Sequence, residues 1–395
     1  MHALSFHWQR QSQLSDDSMQ SLLMNVLRGV ASLQVAAAHL RAEIYPGLRG
    51  LEEPGLAYMA LAFFTGFAHQ AVMVFFLISG WLVGGSLLNK IGEPRVVRSY
   101  AIDRATRLWT VLVPTLFIMI GIGLVTGAAT LEPAGFGAPG EFSAGTFVGN
   151  VLGLQTIVVD RFGGNYPLWS LANETWYYIQ FPLLLLIFTG RGLLQRAACA
   201  ALLALSFASL PFVMNLYFGI WLLGAAFSRI RVDSSVGARL LVLAVSVGVS
   251  VYYRINGVND DILPESFGQD LICTLPVVVL LAAMNKPIGP SAFLQRVGTF
   301  GKWLSEFSFT LYVLHVPVIE LMQHIGRTQF GREELDPTSA ADFATYFAML
   351  AILMGTSYLS YLLFERNTYR VRRFAKRLLL PTAAKPATPV IFSMD

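Results

Sequence analysis

The sequence predicts an all-α fold: a polytopic membrane helix bundle of about ten spans with both termini cytoplasmic. Three observations predict it. Of the 395 residues, 55% are hydrophobic and 13% charged, against roughly 25% charged in an ordinary soluble domain, and the mean hydropathy is +0.57. Apolar runs of spanning length recur from end to end without the period-two alternation of barrel strands. The basic residues fall unevenly between the segments that join those runs.

In chain order the runs are 19–40, 68–88, 108–128, 168–188, 197–212, 215–228, 240–253, 268–285, 303–323 and 343–364. The fifth to seventh are short. With a cytoplasmic N-terminus, only Arg41, Arg49, Arg161, Arg254, Arg327 and Arg332 of the 28 Lys and Arg fall in outer segments. Arg28 lies inside a span and the rest are inner, as the positive-inside rule requires. The pI near 9.1 therefore reflects orientation in a lipid bilayer and not a nucleic acid partner.

Residues 1–18 read as a cytoplasmic tail, 19–378 as the membrane region that must do any chemistry, and 379–395 as a disordered cytoplasmic tail. The first run ends in AAA at 36–38, as a signal-peptidase site would. Arg28 breaks its apolar core, so it reads as an uncleaved span. Cys199 and Cys273 sit in apolar runs with neither metal-ligand nor disulfide spacing, and no zinc motif, P-loop or Rossmann glycine pattern occurs. No metal and no tightly bound cofactor are expected.

Ionisable groups inside spans are costly and face a bundle interior or a wet cavity. The candidates are Arg28, His39, Glu174, Glu306, His315, Glu320 and Glu365. Each has a structural alternative. Arg28 can be the buried partner of Glu174, His39 can rest at the interface, and Glu320 and Glu365, near span ends, read as interfacial. Eleven residues make almost three helical turns, so Arg28 and His39 share one face about 16 Å apart along the axis. Histidine can take and return a proton near neutrality, which suits His39 to activating a hydroxyl or to being acylated. Arg28 cannot be a base and is suited to holding an anion or a carbonyl oxygen.

Arg104 and Arg107, three residues apart, are neighbours on a helix face at the inner boundary. They read either as orienting charges or as a guanidinium fork for phosphates. VFFLISGWLVGG (74–85) interrupts an aromatic run with Ser79-Gly80, which permits close backbone approach. PLWSLANETWYYIQFP (167–182) sets Glu174 among Trp169, Trp176, Tyr177 and Tyr178. EFSFTLYVLHVPV (306–318) groups Ser308, Tyr312 and His315, with Pro317 loosening the helix beyond.

In order along residues 25 to 373, these stretches resemble the acyltransferase 3 family of integral membrane O-acyltransferases. The resemblance rests on Arg28 and His39 within LRGVASLQVAAAH, FFLISGW, Arg104 and Arg107 followed by Pro114, WSLANE ending in Glu174, SFTLYVLHVP and FERNTYRVRR. It implies ten spans and transfer of an acyl group, commonly acetyl from acetyl-CoA, to a hydroxyl of a carbohydrate or similar acceptor. His39 would be the base or a transient acyl carrier. Arg28 would position the donor or the oxyanion, and Arg104 and Arg107 would bind the coenzyme phosphates. Glu174 and His315 would orient or bind the acceptor, with Ser79, Trp169, Ser308 and Tyr312 lining the substrate cavity. Trp81 and Asn173 depart from the family pattern, where phenylalanine and a small aliphatic are usual, and bear on acceptor shape.

The expected acceptor is a surface or exopolysaccharide sugar, or a lipid-linked one, at a bacterial inner membrane; a small secreted glycosylated metabolite is second. A different class is a proton-coupled transporter or flippase of sugar precursors with His39, Glu174 and His315 as relay. No inverted repeat is visible to favour it. A non-catalytic scaffold gives Arg28 and His39 no reason to share a buried face.

Overall fold

Ser18 opens the bundle. Its hydroxyl accepts the Ser21 N–H at 3.1 Å and caps the first helix, α1 (Met19–Ile44). The computed structural model describes residues 4–12, 14–129, 141–258, 262–289 and 291–380. The expected disordered tail falls outside the described residues from 381 onward. After α1 come α2 (Leu56–Phe64), α3 (Ala68–Ser79), a π turn (Gly80–Gly84) and α4 (Gly85–Lys90). They are followed by α5 (Val96–Thr126), α6 (Ala144–Val151), α7 (Leu168–Thr189), α8 (Leu193–Ser209) and α9 (Phe212–Phe227). The last six are α10 (Val236–Asn256), α11 (Phe267–Ala283), α12 (Ala292–Glu306), α13 (Ser308–Phe330), α14 (Ala340–Leu363) and α15 (Thr368–Leu379).

The chain is a multi-pass helical membrane protein. Among the described residues, five continuous helical stretches are long and apolar enough to cross a bilayer, or six if α12 and α13 count as one. The apolar helices α8, α9 and α11 are shorter than this.

One expected span needs correcting. The run 303–323 is not one helix: α12 and α13 meet at 55°. Phe307 leaves helical geometry at φ −107° and ψ 11°, fully buried between the rings of Trp303 and Tyr358. The break lies there and not at Pro317, through which α13 continues.

α1 and the α12–α13 pair run in the same direction. Leu22 faces Gly298, Val26 faces Gly301 and Gly29 faces Leu304. Farther along, His39 meets His315. In lipid, helices gain little from excluding water and pack instead through small residues. The Ser79-Gly80 step does this: a Cβ on Gly80 would lie 1.9 Å from the Trp221 carbonyl oxygen, and one on Gly224 would lie 2.0 Å from that of Leu77. α3 and α9 thus touch backbone to backbone, with Met73, Phe76, Tyr177 and Trp221 filling the core around them.

At one end of the bundle, β1 (Leu4–Trp8) pairs antiparallel with β2 (Ile230–Ser234), Leu4 opposite Ser234 and Trp8 opposite Ile230. The same end holds the Met19 N–H to Lys286 carbonyl bond at 2.8 Å and the Lys376–Asp103 ion pair at 2.7 Å. At the other end the Leu335 N–H reaches the Ile44 carbonyl at 2.8 Å and Gln323 donates to that of Glu43 at 2.6 Å.

Candidate active site

A cavity of about 720 Å³ lies between α1, α3, α5, α7 and α13 on the side where the chain starts. Asp16, Lys302 and Arg372 stand on its wall near the N-terminal end of the bundle, and Tyr312 and Ser170 on its inner wall. Of the residues expected at the site, Arg28, Ser79, Arg104, Arg107, Glu174, Ser308 and Tyr312 all line it.

Each is held by a neighbour from a distant part of the chain. The indole N–H of Trp221 can only donate, and it donates to Ser79 Oγ at 3.2 Å. The Ser79 proton is therefore left for Glu174 Oε1, 2.5 Å away. The Tyr178 hydroxyl, one turn along α7, donates to the same carboxylate oxygen. Glu174 is thus fixed from both α3 and α7, and its charge faces the cavity beside three arginines. Arg28 Nη2 sits 3.5 Å from Ser308 Oγ, whose proton goes to the Ser305 carbonyl at 2.8 Å. Arg104 has its guanidinium over the rings of Tyr100 and Tyr178, at 5.9 and 5.7 Å, a cation–π placement. Its buried Nε has no hydrogen-bond partner among the described residues.

Arg107 differs from Arg104. Its Nη1 donates to Glu365 Oε1 at 2.6 Å, and Glu365 Oε2 accepts the Thr310 hydroxyl at 2.6 Å and the Thr310 N–H at 3.2 Å. The interfacial reading of Glu365 is overturned: at 4% exposure it is the counter-ion of Arg107. Sequence position near a span end gave no sign of this, because Arg107 is 258 residues away. Glu320 is half-buried, and Glu306 is exposed and lines the cavity.

His39, His315 and Trp169 lie off the cavity wall. Trp169 packs edge-on against Phe76, ring centres 6.1 Å apart. His315 is fully buried behind Tyr312, ring centres 6.0 Å apart, and the Tyr312 hydroxyl bonds Ser170 Oγ at 2.5 Å. His39 is half-buried beyond, its Nδ1 2.8 Å from His315 Nε2 and its ring 4.9 Å from that of Tyr166. The layer of Ser170, Tyr312 and His315 thus stands between the cavity and His39.

The hydrogen bonds of that pair assign a tautomer. His315 Nδ1 is 3.1 Å from the Leu311 carbonyl oxygen, which can only accept, so Nδ1 carries the proton. In neutral His315, Nε2 then holds a lone pair and must accept from His39. His39 Nδ1 is therefore protonated, and its Nε2 presents a free lone pair. An imidazole held in one tautomer by a second group is the arrangement a general base requires.

Sequence reasoning missed several groups. Lys302 and Arg372 line the cavity, although in the sequence they look like any other orienting charge of the inner segments. Tyr178, which donates to Glu174, looks in the sequence like one ring of an aromatic stretch. Elsewhere, buried His69 Nε2 meets buried Asp270 Oδ1 at 2.7 Å, and Tyr217 donates to Asp270 Oδ2 at 2.5 Å. The available signal was an aspartate and a histidine near the starts of two apolar runs.

The acyltransferase 3 family model, described as an acyltransferase domain, matches residues 22–365. Over an alignment of 400 residues the chain is 25% identical to the protein named acyltransferase MdmB of Streptomyces mycarofaciens, covering 92% of this chain and 94% of that one. No solved structure matches.

Proposed function

Because the chain belongs to the acyltransferase 3 family and is an acyltransferase, we propose that it moves an acyl group, acetyl first among candidates, from an acyl-CoA to a hydroxyl of a surface, exopolysaccharide or lipid-linked sugar at a bacterial inner membrane. One observation carries this reading: a basic cavity at one end of the bundle backs, through Tyr312 and Ser170, onto a histidine pair whose outer member is a free base.

The donor enters from the cytoplasmic end, phosphates toward Arg104 and thioester inward. Arg28 lies about three turns from His39, roughly 16 Å along α1, farther than its side chain can bridge. Arg28 therefore holds the donor's arm and not the oxyanion at the reacting carbon. The acceptor approaches His39 beside Tyr166, and the thioester reaches it by displacing the Tyr312 side chain, which with Ser170 and His315 separates the cavity from His39. His39 Nε2 takes the hydroxyl proton, and the oxygen attacks the thioester carbonyl carbon. The tetrahedral adduct collapses with cleavage of the C–S bond. The imidazolium returns the proton to the departing thiolate, leaving ester and free coenzyme thiol. Glu174, fixed by Ser79 and Tyr178, offsets the arginine charge in the cavity.

Chain parity supports an even number of spans with both ends of the chain on one side, and the positive-inside rule favours the cytoplasm for that side. β1 and β2 pair with six expected spans between them, and Asp17 bonds Ile288 with eight between. Even numbers return the chain to the same side. Lys376, after the tenth, reaches Asp103.

The test is acyl transfer by purified His39→Ala protein of unchanged thermal stability, with acetyl-CoA and an oligosaccharide acceptor. Loss of at least about a hundredfold is expected for removal of a general base. Undiminished transfer overturns the reading.

A further inference from the structure

The charges around the cavity are not equally available. Arg107 is matched by Glu365 at 2.6 Å. Arg104 has no carboxylate within ion-pair distance among the described residues, and its Nε is buried without a hydrogen bond. Arg372, on α15, also lines the cavity. Its Nε is likewise buried without a hydrogen bond. The nearest acid to it, Asp103 Oδ1, lies 3.4 Å away and is taken more closely by Lys376 at 2.7 Å. Arg372 sits within the fields of Arg104 and Arg107, which repel it. Two guanidiniums near one another, each with an unsatisfied N–H and one shared wall, are an arrangement that a multi-oxygen dianion would relieve.

We propose that Arg372 of α15 and Arg104 of α5 together clamp a phosphomonoester, the ribose 3′-phosphate of the coenzyme, so that the C-terminal helix makes the enzyme select coenzyme A thioesters over their dephospho forms. The inference rests on the acyl-CoA reading above and replaces Arg107 by Arg372 as the partner of Arg104. Arg372 has a side chain 28% exposed, so it stands at the solvent end of the cavity. With the thioester threaded inward toward Tyr312, the nucleotide end is what remains there, and its terminal dianion is the 3′-phosphate. The diphosphate lies farther in, toward Arg28.

The experiment is equilibrium binding of acetyl-CoA and 3′-dephospho-acetyl-CoA to the full-length protein in detergent at fixed low ionic strength, where charge contacts are least screened. Three proteins are compared: wild type, Arg372→Gln and, as a control on the same helix, Arg373→Ala, whose guanidinium stacks on Tyr369 at 4.6 Å. Wild type is expected to prefer acetyl-CoA by about tenfold or more, as for a charge-assisted phosphate contact. Arg372→Gln should lose that preference while its affinity for the dephospho form stays put, and Arg373→Ala should keep it. The wild-type comparison needs no variant to fold. Equal binding of both thioesters by wild type, or a preference that survives in Arg372→Gln, overturns the clamp and leaves the donor reading standing. Binding of neither thioester overturns both.

Discussion

His39 and His315 lie on different helices, and the 2.8 Å contact between Nδ1 of the first and Nε2 of the second has a direction set by a third atom, the Leu311 carbonyl oxygen. The carbonyl claims the His315 proton, so the lone pair of His315 claims the proton of His39. Replacing His315 by Phe should free both tautomers of His39. Transfer is expected to fall roughly 10- to 100-fold, as for other partners that orient a functional imidazole. His315→Gln, whose side-chain oxygen can accept, should recover part of the loss. Single-turnover rates at saturating donor check this; an unaffected His315→Phe rate would show that the tautomer does not matter.

Arg107 and Glu365 form an ion pair in which the acid is almost fully buried, so removing one partner strands the other. Arg107→Ala is expected to cost about 3 kcal/mol of stability, the range found when buried pairs are broken. Arg107→Ala with Glu365→Gln should recover much of it, because glutamine keeps an oxygen for Thr310 and carries no charge. Thermal unfolding of the two variants in detergent decides. A destabilisation unchanged in the pair would mean that Arg107 is held by its packing and not by its charge. Arg104→Ala breaks no such pair and is the cleaner probe of donor binding.

Ser79 and Tyr178 donate to one oxygen of Glu174, so their effects should not add. Ser79→Ala and Tyr178→Phe are each expected to lower acyl transfer. The double variant should differ from the sum by about 0.5–3 kcal/mol, the usual coupling for residues in one network. Rates from the four proteins of the double-mutant cycle measure it. Strict additivity would place the two hydroxyls in separate roles.

Gly80→Ala sets a methyl group against the Trp221 carbonyl, a backbone atom that cannot rotate away. The α3–α9 contact should open, with a loss of about 1–3 kcal/mol or more and disturbance of the Trp221–Ser79–Glu174 chain. Gly121→Ala, where an added Cβ meets nothing within 4 Å, should be tolerated. Size-exclusion profiles and melting temperatures compare the two. Equal behaviour would mean that α3 and α9 separate at no cost.

Features that depend on local pattern were legible in the sequence. The shared face of Arg28 and His39, the close approach at Gly80 and the polar members of α7 and α13 all follow from helical period and residue type. What escaped was pairing over long separations. Glu365 looks interfacial until Arg107 is beside it, and Arg372 looks like one more cytoplasmic charge until α15 folds back along α5. The bend at Phe307 escaped for another reason. An apolar run reads the same whether or not it is kinked, and Pro317, the usual suspect, sits where the helix continues. LSFHW and IRVDS are each too short to announce a strand; only their pairing makes one.

That pairing of β1 with β2 bears on how the protein is made. Leu4 leaves the ribosome more than two hundred residues before Ser234, on the order of ten seconds or longer at ordinary synthesis rates. Throughout that interval the first strand has no mate and its backbone groups are open to other chains. Strand pairing must therefore wait until α9 has been threaded, so the seam between the N-terminus and the α9–α10 connection is knitted late. A fusion placed ahead of Leu4 would burden that knitting step during assembly, even where it leaves the finished enzyme's chemistry untouched.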